Sequence, residues 1–459
     1  MSRSQSSDRE SGFAMISAVM IVAIVAALGA VILTTGTHAD RSSQRGKNWE
    51  SSLATAEAGV QRAIAYLQST NGATPAPFAG VTTEGSYTVA VTYLGRNRYQ
   101  IDSTGSAGEA QGLAAGRSVR VVMAPPRTFR YALFSLSDVD TKNNNHVVGD
   151  VWANGSVTVY QNDTIEGSVN AATGWVTMAN NSTVTGDVIS GGFQSSNGRA
   201  IDMGTGAHIG GKATAASSSP GCSDDPSGVN YQINVGGSIA GATTTWGIKT
   251  GSGSTGPLST HVCKSAPATK TIPTYSFNPA NYNPAPQVFA SPSAFSVWLS
   301  TNSSNLSGTF FIQGGGPSDP VDINGVTIGG DTTIIAESAP INAFGGVGVS
   351  SANLTDKVFV LASFYQPAPA SVCTSNGGNP ADCAIGIKNN FAPNDGTATL
   401  LYAPNGPVSF KNNADFLGAV YANSITIKNN MNITYDDRVD QIVGFGEFTL
   451  EPETWVETT

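Results

Sequence analysis

Charge is scarce in this sequence. Asp, Glu, Lys and Arg make up 12% of its 459 residues, about half the usual share of a soluble domain. So low a charge, with many β-branched residues, excludes a chain held open by self-repulsion. The net charge is −9, which leaves no basic surface for nucleic acid and no polybasic patch for anionic lipid. Cysteine and histidine are also few. Cys222, Cys263, Cys373 and Cys383 form no Cys-x-x-Cys pair, and His38, His146, His208 and His261 are scattered, so no metal site or cofactor is expected. The signatures of catalysis are missing too. There is no Gly-x-Ser-x-Gly elbow, and Gly314-Gly315-Gly316 runs into Pro317, which has no N–H to offer a phosphate. The paired acids of Asp224-Asp225 and Asp436-Asp437-Arg438 would point to opposite faces of a strand. They read as solvated turn residues, and no enzyme is expected.

What the sequence does have is one long apolar run. Residues 13–33 are almost wholly hydrophobic, and no charge falls between Ser11 and Ala39. As a helix this run reaches across a hydrocarbon core of roughly 30 Å. A polar, mixed-charge leader, residues 1–12, precedes it. Beyond it, Trp49, Leu53, Ala56, Val60, Ala63 and Leu67 are spaced by fours and threes, the stripe of an amphipathic helix. Alternation then predicts strands at 86–94, 98–103 and 117–123, with Pro125-Pro126 as a stop. The expected unit is a helix packed on a three-stranded antiparallel sheet.

The Gly12-Phe13 junction ahead of the apolar run resembles a type IV prepilin signal. The segment Leu53-Ala54-Thr55-Ala56-Glu57-Ala58-Gly59-Val60 resembles minor pilins of the PilX type. The resemblance covers roughly the first 125 residues. It implies cleavage between Gly12 and Phe13 by a prepilin peptidase, with other pilin subunits as partners in a fibre. Most members carry Glu four residues after the new N-terminus; this chain has Ser17 there, which points to a tip or minor position. Gly29 and Gly36 would permit close helix approach. The chain would sit in the cytoplasmic membrane by this single span, with its C-terminal region outside, and then at the cell surface.

From residue 139 the pattern changes. Val148-Gly149-Asp150-Val151, Ile165-Glu166-Gly167-Ser168-Val169 and Val184-Thr185-Gly186-Asp187-Val188 return at intervals of eighteen and nineteen residues. Ile209 to Ala213 and Val235 to Ile239 read as looser copies. Lys-Asn-Asn recurs at Lys142, Lys388, Lys411 and Lys428. Short β runs at this period predict the coils of a parallel β-helix, with Gly and Asn at corners. The expected fold class is therefore an α+β pilin-like part followed by an all-β parallel β-helix. The expected segments are a leader at 1–12, a span at 13–35, helix and sheet at 36–125 and a linker at 126–138. A β-helix at 139–445 follows, interrupted by an irregular insertion at about 217–290, and an acidic frayed tail occupies 446–459. Four cysteines permit three disulfide pairings; proximity favours 222 with 263 and 373 with 383, and buried thiols are the alternative. Trp152, Tyr160 and Trp175 suggest either packing or a carbohydrate- or surface-binding face. An anchored envelope protein and a tethered polysaccharide-active β-helix are the rival readings.

Overall fold

The computed structural model describes residues 8–70, 73–95, 98–108, 115–124, 128–216, 229–275, 277, 279, 282, 285–343, 347–349, 357–367, 383–388, 391, 396–411, 414–442 and 451–458. The chain forms two compact units, Met1–Pro126 with Phe448–Thr459, and Arg127–Glu447.

The first unit begins with helix α1, Asp8–Ser69. Strands β1 (Phe78–Val81), β2 (Ser86–Gly95), β3 (Arg98–Ala107) and β4 (Ala115–Ala124) follow and pair antiparallel in sequence order. The sheet has five strands instead of the expected three. Its fifth is the C-terminal strand Glu451–Thr458, antiparallel to β4. Residues 451–458 of the expected acidic tail are therefore a paired strand, not frayed. It covers an edge of β4 that would otherwise present unpaired N–H and C=O groups. Its acids face the basic residues of neighbouring strands, Glu453 on Arg98 at 2.5 Å and Glu457 on Arg117 at 3.4 Å.

The second unit is a parallel β-helix whose first coil has strands at Leu133–Ser135, Val139–Thr141 and His146–Val148. These begin three faces, here A, B and C. In most strands the alternation turns two side chains inward for each one outward. The inward residues stack in rows such as Leu133, Val151, Val169, Val188 and Ala213 on face A, all fully buried. Residues 126–138 are thus not simply a linker, because coil structure starts at Leu133.

Gly167, Gly186, Gly211 and Gly241 stack at the corner between faces C and A. A Cβ at Gly167 would lie 2.4 Å from the Gly149 carbonyl oxygen, and one at Gly186 2.6 Å from the Gly167 carbonyl carbon. That close approach is why the Gly-x-Val repeat is visible in the sequence. Val235 to Ile239 is not a copy of it: Val235 pairs with Met203 on face B and Ile239 with Ile209 on face C. The repeat at that level is Gly241 followed by Thr243, which pairs with Ala213.

The order of coils departs from a simple N-to-C stack. The first coil pairs on one side with residues 151–159 and 164–166. On the other side it pairs with Ala414–Ile427 and Met431–Thr434, near the end of the unit. The chain enters mid-stack, builds one arm outward to Leu258–Ser259, crosses to the opposite end, and builds a second arm back to where it started. The expected insertion at 217–290 is consequently two things. Residues 232–259 are further coils, and residues 260–286 contain the return crossing.

That crossing is an extended strap over the outside of face A. Ala266 lies by Gly191, the Lys270 backbone bonds the Asn154 side chain, and the Pro273 carbonyl accepts from the Tyr402 hydroxyl at 2.8 Å. Phe277 stacks on Phe311 with centroids 4.0 Å apart. Eight rung steps separate Gly191 from Phe311, about 38 Å at about 4.8 Å each. Beneath the strap Phe134, Trp152, Tyr402 and Tyr421 form a second buried layer. Trp152 is 6% exposed and so is not part of a binding face. Burial lifts the Tyr402 hydroxyl to about 12 and the Tyr421 hydroxyl further still.

The two ends are closed differently. Helix α2, Pro292–Asn302, is N-capped by Ser291 and seals one end with Phe295 and Leu299 against Phe289 and Phe310. At the other end Lys249 pairs with Ile233 in the register of face B, and its ammonium donates to the Gly253 carbonyl at 2.8 Å. A charge at that position discourages end-to-end stacking of solenoids.

Candidate functional site

Helix α1 is divided into two halves with opposite surroundings. In its second half Ala56, Val60, Ala63 and Leu67 are wholly buried against Val89, Tyr99, Ile101, Val119, Val121 and Met123. Leu53 packs at the margin of this cluster. Gly59 explains the close contact, since a Cβ there would meet Ser103 Oγ at 2.3 Å and Val89 Cγ2 at 2.9 Å. Gly105 does the same from the sheet, where a Cβ would lie 2.1 Å from the Ser52 carbonyl oxygen. In the sequence Gly59 reads only as a weak point in the helix. Its packing role appears once its neighbours are known.

Trp49 does not belong to the buried stripe. It is 53% exposed, with the Arg117 guanidinium 4.0 Å above its ring. Four residues before Leu53 the helix has reached the sheet margin, so the indole meets a cation rather than the core. Arg117 in turn reaches Glu457, tying helix, β4 and C-terminal strand together.

The first half of α1 has no such cover. Ile16, Val19, Ile24, Val25, Leu28, Val31, Ile32 and Leu33 are each more than half exposed. This stretch has a mean hydropathy of 2.9, and none of it is buried by the protein's own fold. It is long and apolar enough to cross a membrane. At its C-terminal side Thr34 and Thr35 donate to the carbonyls of Ala30 and Val31 at 3.0 and 2.8 Å. Such back-bonding satisfies hydroxyls without water. Gly29 and Gly36 are open, with nothing within 4 Å of a Cβ at either, and Ser17 lies on the same exposed half. Gly12 and Phe13 fall in the first turns of α1, and the Phe13 side chain lies outside the described residues. An apolar surface of this extent marks a site of contact with lipid or with another protein.

The residues weighed as catalytic are elsewhere. Asp436 caps a short 3-10 helix, Asp437–Gln441, and binds Arg438 at 2.6 Å. Arg438 is almost fully buried and also donates to the Gly396 carbonyl. That pair locks the end of the second unit. Asp224 and Asp225 lie outside the described residues. His146 meets Glu166 at 2.9 Å and His208 meets Ser238 at 2.8 Å. Among the described residues no three His, Cys, Asp or Glu are grouped to hold a metal. Cys263 and Cys383 are disulfide-bonded; Cys222 and Cys373 lie outside the described residues, so the pairing stays as open as in the sequence.

The Lys-Asn-Asn motifs do converge. Lys388 pairs with Lys411, the Lys428 N–H donates to the Phe410 carbonyl, and the Lys142 N–H donates to the Ile427 carbonyl. The four lysines of these motifs therefore sit one above another at the corner between faces B and C. Asn144 and Asn430, the last residues of two of these motifs, have φ of 61° and 58°, the left-handed turn that Asn tolerates. Asn162 continues the corner, its side-chain amide donating to Asn144 Oδ1 at 3.2 Å.

Residues 300–442, the second arm and the coil that joins it to the first, match a family described as a domain of unknown function, DUF7305. No curated protein matches the chain. Among solved structures, the competence-associated pilin ComZ from Thermus thermophilus is similar at 13% identity over 90% of this chain and 97% of its own. Its TM-score is 0.23, too low to transfer a fold or a role.

Proposed function

We propose that this protein is a minor subunit of a type IV pilus-like fibre, held first in the cytoplasmic membrane and then in the fibre by the bare half of α1. The observation that carries the reading is the division of α1: one half is locked into a sheet of its own domain and the other is apolar and uncovered. The prepilin-like Gly12-Phe13 junction and the Ala-Glu-Ala-Gly segment support it. In this reading a prepilin peptidase cuts before Phe13, and the helix exchanges lipid for the helices of other pilin subunits. Apolar surface stays covered throughout, so little hydrophobic stabilisation is lost in transfer. Gly29 and Gly36 would let neighbouring helices approach closely. Ser17 in place of the usual acid suits a subunit at or near the tip. The β-helix would be displayed outside the cell for adhesion or for priming of assembly, and the protein would perform no catalysis.

N-terminal sequencing of the mature protein and immunolabelling of purified fibres test this. A chain beginning at Phe13 and found in fibres supports it. A chain retaining its leader and confined to membranes is instead a permanently anchored envelope protein.

A further inference from the structure

The second unit, Arg127–Glu447, lies in the sequence between β4 and the C-terminal strand Glu451–Thr458. Those two strands are neighbours in the sheet of the first unit, and Ala124 pairs with Glu451 at the end of the ladder. The second unit for its part holds its own two ends together. The Phe129 N–H donates to Asp440 Oδ1 at 2.6 Å, and the Tyr435 hydroxyl lies 2.5 Å from the Phe129 carbonyl oxygen and 3.0 Å from Asp440 Oδ2. The Phe129 ring is fully buried, edge-on to Tyr421 at 4.7 Å. The Tyr131 N–H donates to the Tyr421 hydroxyl at 3.1 Å. Where the chain enters the β-helix and where it leaves are therefore one clasped point.

That clasp shortens a loop. With the β-helix folded, the connection between β4 and the C-terminal strand is roughly 16 residues, from Ala124 to Phe129 and from Asp440 to Glu451. With it unfolded, the loop from Ala124 to Glu451 is roughly 330 residues. The chance that the ends of a flexible loop meet falls as the three-halves power of its length, so docking of the strand is about ninetyfold weaker across the longer loop.

The C-terminal strand has little of its own to set against that loss. Residues 451–457 are all exposed, Trp455 and Val456 among them. Pro452 has no N–H to add to the ladder, and the register shifts beside it. Its ion pairs to Arg98 and Arg117 are at the surface, where such pairs contribute little. We propose that this strand docks on β4 only when the β-helix is folded, so that completion of the first unit's sheet is a checkpoint on folding of the second. An uncovered β4 edge, a template for pairing with other chains, then marks the unfinished subunit. Fibre assembly plays no part in this coupling, which follows from the connectivity of the chain.

The test uses the purified full-length protein in detergent, with hydrogen–deuterium exchange read peptide by peptide along a urea titration. Val169 is fully buried in the β-helix core, and Val169→Asp weakens the second unit by placing a carboxylate there. The expected result is that residues 451–458 lose protection together with the weakened β-helix, while residues 86–103 stay protected beyond that point. Should the variant leave the β-helix unprotected without urea, residues 451–458 are expected to be unprotected from the start. In a second variant a specific protease site is placed within residues 443–447 and cut after folding. A short tether holds its end at about millimolar effective concentration, so at micromolar protein the cut strand should dock about a thousandfold more weakly and separate on gel filtration. The proposal is overturned if residues 451–458 keep their wild-type protection once the β-helix has unfolded, or if the cut strand stays bound.

Discussion

The division of α1 makes a prediction with opposite signs at two positions of one helix. Ile24 lies near the middle of the apolar run and is 56% exposed, touching nothing in its own domain core. In a bilayer centre an Ile contributes about −0.5 kcal/mol to insertion and an Asp costs about +3 kcal/mol. Ile24→Asp should therefore disfavour insertion by about 3.5 kcal/mol, a factor of a few hundred, and should leave the folded sheet untouched. Val60 is wholly buried in the helix–sheet core. Val60→Asp places a carboxylate there without a partner, at a cost of several kcal/mol to folding, and should leave insertion of the first half unchanged. Two readouts separate the effects: the fraction of protein resisting alkaline extraction from membranes, and thermal unfolding of the detergent-purified protein. An Ile24→Asp variant that stays in membranes like wild type refutes the assignment of the bare half. So does one whose sheet melts at clearly lower temperature, because that would mean the segment packs on its own domain.

Gly167→Ala should destabilise the solenoid by about 1–3 kcal/mol, since its new methyl meets Gly149 backbone; Gly316→Ala, with nothing within 4 Å, should be neutral in the same urea titration. Tyr402 has its folded pKa raised from 10.0 to about 12. Its contribution to stability is therefore intact below pH 10 and lost as pH rises through about 12. Tyr402→Phe should flatten that part of the alkaline unfolding curve and cost about 1 kcal/mol at neutral pH through the lost bond to Pro273, both measurable by circular dichroism. Deleting residues 451–459 should expose β4 and make the first unit susceptible to limited proteolysis while the second stays resistant. Cleavage of the second unit at an equal rate would refute this expectation.

Much of this architecture is legible in the sequence because its signals are local. The Val60-Ala63-Leu67 stripe follows helical period, and the Gly-x-Val repeat marks a corner where only Gly fits. The Lys-Asn-Asn repeat marks a corner that needs a left-handed residue. Each is a property of a few neighbouring residues and survives without the fold. The errors have a physical cause as well. Trp152 reads as open to either packing or a binding face because nothing nearby in sequence covers it; the strap that does is more than a hundred residues away. Residues 451–458 read as an acidic tail because the Arg98 and Arg117 that receive their charges lie over three hundred residues earlier.

The sequence by itself determined that an uncovered apolar helix comes first, that half of it continues as an amphipathic stripe, and that short parallel rungs follow. The order in which those rungs stack was decided only in three dimensions. A parallel rung pairs equally well with any neighbour of matching register. Nothing local therefore states that Leu133 lies between Val151 and Val420, or that a strap over face A joins the two arms. That order rests on the long-range fit of strap to face A and of the last coil to the first.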